Sequence, residues 1–390
     1  MEPARLRILH TNFHRGWGGQ PSRILMLSLG LAQRGHEVVI AAPAGSVLAD
    51  RAVRAGLETF EEPRFLKSNN LLSALRDAAS LHRLLRRRPF DLLDAHGSQD
   101  LWAAVAAVRL GRHPLPLVYT RHNTKQVADH VLNRLLYRRL IDHLILASAS
   151  VLERYEPFLR RRDLTKERIS EVHSSFWDEQ FHPGVDGASL RRELGMEGSG
   201  FLLVGVVGRL VPDKGGTFFL KAAARVAAEI PGARFLFAGR GTEEERLREE
   251  AAALGLSERV RFLGFREDVP QVTAALDLSV LPSVDCDASS AVLKEAMALG
   301  RPVVATDIGG ASEIVVHGES GLLVPPADPE AMAQAIKEIL LREDRGRAMG
   351  EEGRRRVMSE FSRERLVDGT LIAYRRAIEL FKHRPLPEMS

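Results

Sequence analysis

The feature that most narrows the folds open to this chain is a strand, a glycine-rich loop, a helix and a second strand packed between Leu6 and Ala42. Leu6 to His10 reads as a short strand, and Gly16-Trp17-Gly18-Gly19-Gln20 as a loop. Pro21 to Arg34 has helical apolar spacing at Ile24, Leu27, Leu29 and Leu31, and Gly35 ends it. Glu37 to Ala42 is the next strand. A strand that returns through a helix lies parallel to the first, so this unit predicts a parallel sheet covered by helices.

The alternation continues. Phe90 to His96, Leu115 to Thr120 and His143 to Ala147 read as further strands, with helices such as Leu71 to Arg87 between them. Gly184 to Gly200 is richer in Gly, Ser and charge, and a fresh series starts at Phe201 to Gly208. It runs on through Arg234 to Ala238, Val260 to Phe262, Leu278 to Leu281 and Pro302 to Thr306. The expected organisation is therefore α/β, with doubly wound domains over residues 1–185 and 186–362 and an amphipathic closing segment over 363–390. That segment places Leu366, Leu371, Ile372, Ile378 and Leu380 on one stripe. No fixed-period repeat is visible, which excludes a solenoid.

Composition removes other classes. With 45% hydrophobic and 27% charged residues, the 390-residue chain is not disordered. Its single cysteine, Cys286, excludes a disulfide scaffold and any multi-cysteine metal site. No apolar run approaches the roughly 18–20 residues that span a bilayer. The start, MEPARLRILHTNFHRGWGG, is charged where a signal peptide has its apolar core, so a soluble cytosolic protein is expected. Residues 1–185 hold 27 Lys and Arg against 19 Asp and Glu, and the remainder 28 against 32. Either an anionic partner for the first half or the arginine usage of a GC-rich genome gives this asymmetry. Arg83, Arg86 to Arg88, Arg134, Arg138, Arg139 and Arg160 to Arg162, beside Leu84, Leu85, Leu135 and Tyr137, would suit an anionic membrane surface or a phosphorylated lipid; a solvated face reads the same way. No nucleic-acid motif and no aromatic-interleaved basic stretch is present, so no nucleic acid partner is expected.

Two segments carry candidate chemistry. In Val207-Gly208-Arg209-Leu210-Val211-Pro212-Asp213-Lys214-Gly215-Gly216, a strand ends in glycine and two cations precede a helix start. Arg and Lys at a helix N-terminus can clamp a diphosphate; a solvated loop with two surface cations is the alternative. The segment matches neither the phosphate loop of nucleotide triphosphatases nor the dinucleotide-binding glycine pattern. From Pro282 to Thr306, a strand runs into a small-residue acidic loop, a short helix and a further strand. Asp287 and Glu295 flank small side chains whose amides are free for an anion, and carboxylates accept hydrogen bonds from sugar hydroxyls. Here the alternative is a helix cap at Asp287 or Ser289 with Glu295 exposed.

Together these segments resemble the retaining glycosyltransferases of family 4, also called group 1, with the GT-B fold. Gly18-Gly19 with Arg23 and Arg34-Gly35-His36-Glu37-Val38 are similar to the family's N-terminal signature. Phe237-Ala238-Gly239-Arg240-Gly241 resembles its glycine turn, Val260 to Phe265 the strand beside the base, and Gly318 to Pro329 its closing segment. The resemblance implies two facing Rossmann-like domains with a deep cleft between them, and a last helix that crosses back to the N-terminal domain.

The roles it implies fall on particular residues. Arg209 and Lys214 would neutralise the donor diphosphate, supported by Gly208, by Gly241 and by amides at Ala291, Val292 and Leu293. Glu295 would hold the ribose hydroxyls, Asp287 the donor sugar, and Phe265 would lie beside the base. Gly18 and Gly19 would approach the diphosphate, and His122 would stand near the reacting sugar, with His96 a weaker candidate. Two departures stand out: the usual Glu-Gly pair is Asp287-Ala288, and the interdomain segment reads Ser174-Ser175-Phe176-Trp177 in place of Asn-Gly. Asp285-Cys286-Asp287 has a metal-binding spelling but falls on the donor-sugar loop, so no metal and no cofactor is expected. The implied function is metal-independent transfer of a sugar from a nucleotide-diphosphate donor to a lipid-linked or cell-envelope glycan, in lipopolysaccharide or exopolysaccharide synthesis, in the cytoplasm or peripheral on the inner face of the plasma membrane. A nucleotide-sugar epimerase and a non-catalytic nucleotide-sugar-binding protein are the rival readings.

Overall fold

Among the described residues of the computed structural model every strand pairing is parallel, which is the arrangement that strand-helix-strand units impose. The structure describes residues 5–66, 71–198, 200–285 and 287–383. Residues 1–4 at the charged start, Cys286 and residues 384–390 of the expected closing segment lie outside them.

The first sheet holds β1 (Arg7–Thr11), β2 (Glu37–Ala41), β3 (Glu58–Phe60), β4 (Leu92–Ala95), β5 (Leu117–Arg121), β6 (His143–Leu146) and β7 (Ile169–Glu171). Their order is β3-β2-β1-β4-β5-β6-β7, so the winding reverses between β1 and β4. The second sheet holds β8 (Leu202–Val207), β9 (Ala233–Ala238), β10 (Val260–Phe262), β11 (Leu278–Leu281), β12 (Val303–Thr306) and β13 (Leu322–Val324), in the order β10-β9-β8-β11-β12-β13, with the reversal between β8 and β11. In open sheets of this kind, ligands collect beyond the carboxyl ends of the strands at the reversal.

Central strands are buried on both faces, which explains their nearly continuous apolar runs. In the second sheet Phe219, Phe235 and Phe237 pack edge to face in the core. Local capping fixes several helix starts: Ser46 accepts from the Ala49 amide and Asp328 from the Ala331 amide.

The chain divides into two compact units, Met1–Ser174 with Arg363–Ser390, and Ser175–Ser362. The division thus falls at Ser174, before the expected boundary at residue 185. The cause is apolar: Phe176 and Phe181 are buried with Leu281, Leu293 and Met297 in the second unit's core. Ser175 also donates to the Phe361 carbonyl at 2.6 Å. The closing helix, Arg363–Lys382, belongs to the first unit, with Leu366, Val367, Ala373 and Tyr374 buried. Ile372, placed on its apolar stripe from the sequence, is 66% exposed.

Candidate active site

In the second unit the two cations lie on one loop. Gly208 follows β8 and its amide donates to the Ala238 carbonyl. Arg209 is exposed and makes no side-chain hydrogen bond or ion pair among the described residues. Pro212 opens a single tight turn that ends at Gly215. Gly215 has φ +65°, and a Cβ there would stand 1.9 Å from the Pro282 carbonyl oxygen. Only glycine allows this approach, and through it Lys214 reaches the loop after β11. Its Nζ donates to Asp287 Oδ2 at 2.7 Å and lies 3.4 Å from Ser283 Oγ.

Asp287 is buried, so the shorter carboxylate that departs from the family pattern is held as the partner of Lys214. The alternative reading of Asp287 as a helix cap fails, because Ser290 caps the helix Ala291–Ala298 through the Leu293 amide. That same bond takes the Leu293 amide, expected from the sequence to be free for phosphate; Ala291 and Val292 are the other first-turn amides. Glu295, expected exposed under the alternative reading, is half-buried on this helix. Burial pushes its carboxyl up to about 7, against the opposing pull of Lys294.

Gly241 packs against the Leu210 backbone, where a Cβ would stand 1.9 Å from the carbonyl oxygen. Phe265 follows β10 and is 67% exposed, an aromatic face open to a partner. A cavity of about 210 Å³ lies against the same loop, lined by Arg209, Lys214, Thr217, Phe237, Glu243 and Arg246. It includes neither Asp287 nor Glu295, and it is smaller than the roughly 300–1,000 Å³ of a nucleotide-sized pocket.

Sequence reasoning missed Lys294. It is fully buried, donates to Ser289 Oγ at 2.8 Å and lies 5.4 Å above the Phe361 ring. A lysine on an otherwise apolar helix face was the available signal.

In the first unit Gly18 and Gly19 open the helix Gly19–Gln33, with no heavy atom within 4 Å of a Cβ at either. Arg23 of the same helix points inward: it is buried, and its guanidinium donates to the Val172 carbonyl at 2.7 Å. Burial lowers its pKa to about 10.

Strand register builds the rest. His10 pairs with Asp94 across β1 and β4, and Asp94 with Val118 across β4 and β5. Side chains alternate along a strand, so His10, Asp94, His96, Thr120 and His122 share one face. His10 Nδ1 and His96 Nε2 are 2.9 Å apart, as are His96 Nδ1 and His122 Nε2. Asp94 accepts from Thr120 at 2.9 Å and from Tyr374 of the closing helix at 2.6 Å. The Asp100 carboxylate accepts from Thr11 and from the His96 and Gly97 amides, which fixes the backbone under His96.

Burial dominates the electrostatics here. It lowers His10 to about 3 and takes His96 and His122 well below the ordinary imidazole range. It raises Asp94, and pushes Asp100 up to about 7. The rings are therefore neutral, and the approaches of His10 and His96 to Asp94 are not ion pairs. Of the predicted residues, His122 and His96 are brought together; the connection through His10, Asp94 and Tyr374 was not read from the sequence.

His10, Asp94 and His96 are also the one grouping, among the described residues, of three His, Cys, Asp or Glu atoms close enough to share an ion. The 2.9 Å between the two ring nitrogens is shorter than the roughly 3.3 Å edge of a tetrahedral zinc site. The rings are bonded to each other.

Among the described residues, half of the clustered arginines form ion pairs with neighbouring carboxylates. Arg83 bonds Glu62, Arg88 bonds Glu37 and Glu58, Arg134 and Arg161 share Asp129, and Arg160 bonds Glu156. Leu85 and Tyr137, expected beside a membrane, are buried instead. Val131, Leu132 and Leu135 are exposed at 74%, 58% and 42%. No helix among the described residues is long and apolar enough to cross a membrane.

Comparison with known proteins agrees with this architecture. Residues 202–342 match the glycosyl transferases group 1 family, and residues 17–174 match glycosyltransferase family 4. The chain is 30% identical over 365 residues to a 2-deoxystreptamine N-acetyl-D-glucosaminyltransferase of Streptomyces fradiae, covering 85% of this chain and 84% of that one. It is 29% identical to the lipopolysaccharide core biosynthesis glycosyltransferase LpsE of Rhizobium meliloti, covering 93% and 97%. It spans only 15% of an exopolysaccharide phosphotransferase of Streptomyces coelicolor, at 42% identity, and 62% of a D-inositol 3-phosphate glycosyltransferase of Corynebacterium urealyticum, at 34%. Among solved structures, Anabaena Alr3699/HepE in complex with UDP-glucose superposes with a TM-score of 0.79 at 22% identity, over 97% of this chain and 100% of that one.

Proposed function

We propose a reaction on one premise: the chain belongs to the glycosyltransferases of group 1 and family 4. In that reaction a sugar moves from a nucleotide-diphosphate donor to an acceptor hydroxyl, with retention of configuration and without a metal ion. The observation that carries the reading is the loop 208–216, which presents Arg209 unpaired and Lys214 against Asp287.

As the bond between the sugar carbon and the diphosphate oxygen breaks, its electron pair leaves with the diphosphate; the acceptor hydroxyl oxygen bonds the sugar carbon, and the hydroxyl proton passes to the departing diphosphate oxygen. Preorganised positive charge stabilises that departure most, because it is fixed before the charge develops. Arg209 and Lys214 supply it, and the first-turn amides of Ala291 and Val292 add to it. Asp287 orients the lysine and takes a hydroxyl of the donor sugar. Glu295 accepts from the ribose hydroxyls, and the exposed Phe265 ring faces the base. Gly18, Gly19 and His122 keep the roles given by resemblance, the glycines at the diphosphate and His122 at the sugar.

The acceptor proposed is a lipid-linked or cell-envelope glycan, supported by the likeness to a lipopolysaccharide core glycosyltransferase along nearly the whole chain. Exposed Val131, Leu132 and Leu135 beside Arg138 support contact with an anionic cytoplasmic membrane face. Sedimentation with anionic vesicles at low salt is expected to carry the protein down; none in the pellet would remove that contact.

The reaction is tested by incubating the chain with UDP-, GDP-, ADP- and TDP-sugars and a bacterial lipid extract, with and without EDTA. Transfer with retained anomeric configuration, undiminished by EDTA, is expected. Inversion or a chelator-sensitive rate would overturn those parts of the reading. An epimerised donor without transfer, or binding without turnover, would favour the rival functions.

A further inference from the structure

The imidazoles of His10, His96 and His122 form one hydrogen-bonded row across three adjacent strands, with each link 2.9 Å long. Each link needs one N–H and one lone pair, so a row of neutral rings has only two polarities. In one, His10 Nδ1–H donates to His96 Nε2, His96 Nδ1–H donates to His122 Nε2, and the outer proton sits on His122 Nδ1. In the other every donor is reversed, and the row ends at the opposite side in His10 Nε2–H.

The inner end decides between them. His10 Nε2 is buried and has no hydrogen-bond partner among the described residues. A bare ring lone pair there is tolerable, whereas a buried N–H without an acceptor is among the rarest features of folded proteins. Asp94 does not reverse this order. Its Oδ2 stands 3.9 Å from His10 Nδ1 and 3.5 Å from His96 Nε2, both beyond a normal N–H···O bond, and it already accepts from Tyr374 and Thr120.

We propose that His10 and His96 are positioning residues that hold His122 in the tautomer with its proton on Nδ1, so that His122 offers the transferred sugar a fixed N–H donor. The benefit to the sugar rests on the role of His122 proposed above; the tautomer rests on the row alone. Groups from the neighbouring elements face the row: Arg23 from the helix Gly19–Gln33, Asp94 on β4, Thr120 on β5, His14 after β1, and Tyr374 from the closing helix; Arg121, on the other face of β5, acts only through its charge. Burial, reinforced by His96 and Arg23, keeps His122 neutral, so the donor is an uncharged N–H.

The test is a long-range proton–nitrogen correlation spectrum of the full chain labelled at histidine nitrogens. From about pH 6 to about pH 8, His122 is expected as a single neutral tautomer protonated on Nδ1. In His96→Leu the ring is expected to mix tautomers, with kcat falling about tenfold or more and donor KM little changed. His96→Asn, whose amide can replace the Nδ1–H donor, is expected to restore the fixed tautomer and most of kcat. A wild-type His122 protonated on Nε2 overturns the proposal, and this spectrum needs no variant to fold. A tautomer unmoved in a folded His96→Leu protein overturns it equally. A released tautomer with unchanged turnover would uphold the row and count against His122 acting on the sugar.

Discussion

Glu295 carries its charge in a costly place. It lies half-buried on the helix Ala291–Ala298, and burial moves its carboxyl from 4.5 to about 7. Between those values the folded chain holds a proton that the unfolded chain has released, so this residue's contribution to stability falls as pH rises through that window. Ligand affinity moves the opposite way. Two ribose hydroxyls donate to an ionised carboxylate, whereas the protonated form offers a donor of its own. Affinity for a nucleotide-diphosphate sugar, whose doubly esterified diphosphate does not titrate in this window, is therefore expected by calorimetry to weaken roughly five- to tenfold from about pH 8 to about pH 6. Glu295→Gln should give a flat profile, and an equally steep slope in that variant would remove Glu295 from the ribose. At this scale the cations Arg209 and Lys214 were legible, because their spacing before a glycine pair is a local pattern. His10 was not: a histidine inside a strand gains meaning only once β1, β4 and β5 are known to be neighbours.

At the scale of elements, loops after β8, β9 and β11 close on one another through glycines. Gly239 has φ +144°, and its Cβ would stand 1.8 Å from the Gly208 carbonyl oxygen; Gly215 makes the equivalent approach to Pro282. Gly215→Ala adds left-handed backbone strain of about 1–2 kcal/mol and a backbone clash besides. The expected outcome is a melting temperature lower by roughly 4–8 °C and nucleotide affinity lost more steeply than stability. Gly318→Ala separates the causes, since Gly318 has φ +83° with nothing within 4 Å of its Cβ. It should show the strain without the loss of affinity; equal effects in both would mean that the close approach of the loop does not matter.

The long helices were readable, and so were several apolar strands. Leu71–Arg87 and Arg363–Lys382 repeat their apolar residues over several turns, and β10 and β11 end where the sequence placed them. β3, β7 and β13, each of three residues, were not read; β3 and β7 are polar or exposed and carry no apolar alternation, whereas the equally short β10 was read from its place in the series.

For the whole molecule, two successive doubly wound sheets were plain in the sequence because apolar central strands such as β8 and β11 alternate with helices. The place of division was not, since Gly and Ser near residue 185 mark a loop, while two buried phenylalanines hold the preceding segment to the second unit. Tyr374 meets Asp94 across 280 residues, a contact that no local pattern announces. What the account requires of the molecule is that fixed positive charge in the second unit holds a nucleotide's diphosphate. Calorimetric titration of UDP, GDP, ADP and TDP into wild type, Arg209→Ala and Lys214→Ala tests this directly. Each lost charge-assisted contact is worth about 1.5–3 kcal/mol, so each variant should bind the preferred nucleotide roughly ten- to a hundredfold more weakly; Arg209→Ala, which breaks no contact, should melt as wild type does, and Lys214→Ala, which leaves the buried Asp287 carboxylate unpaired, somewhat lower. Undiminished affinity in both variants would contradict the claim.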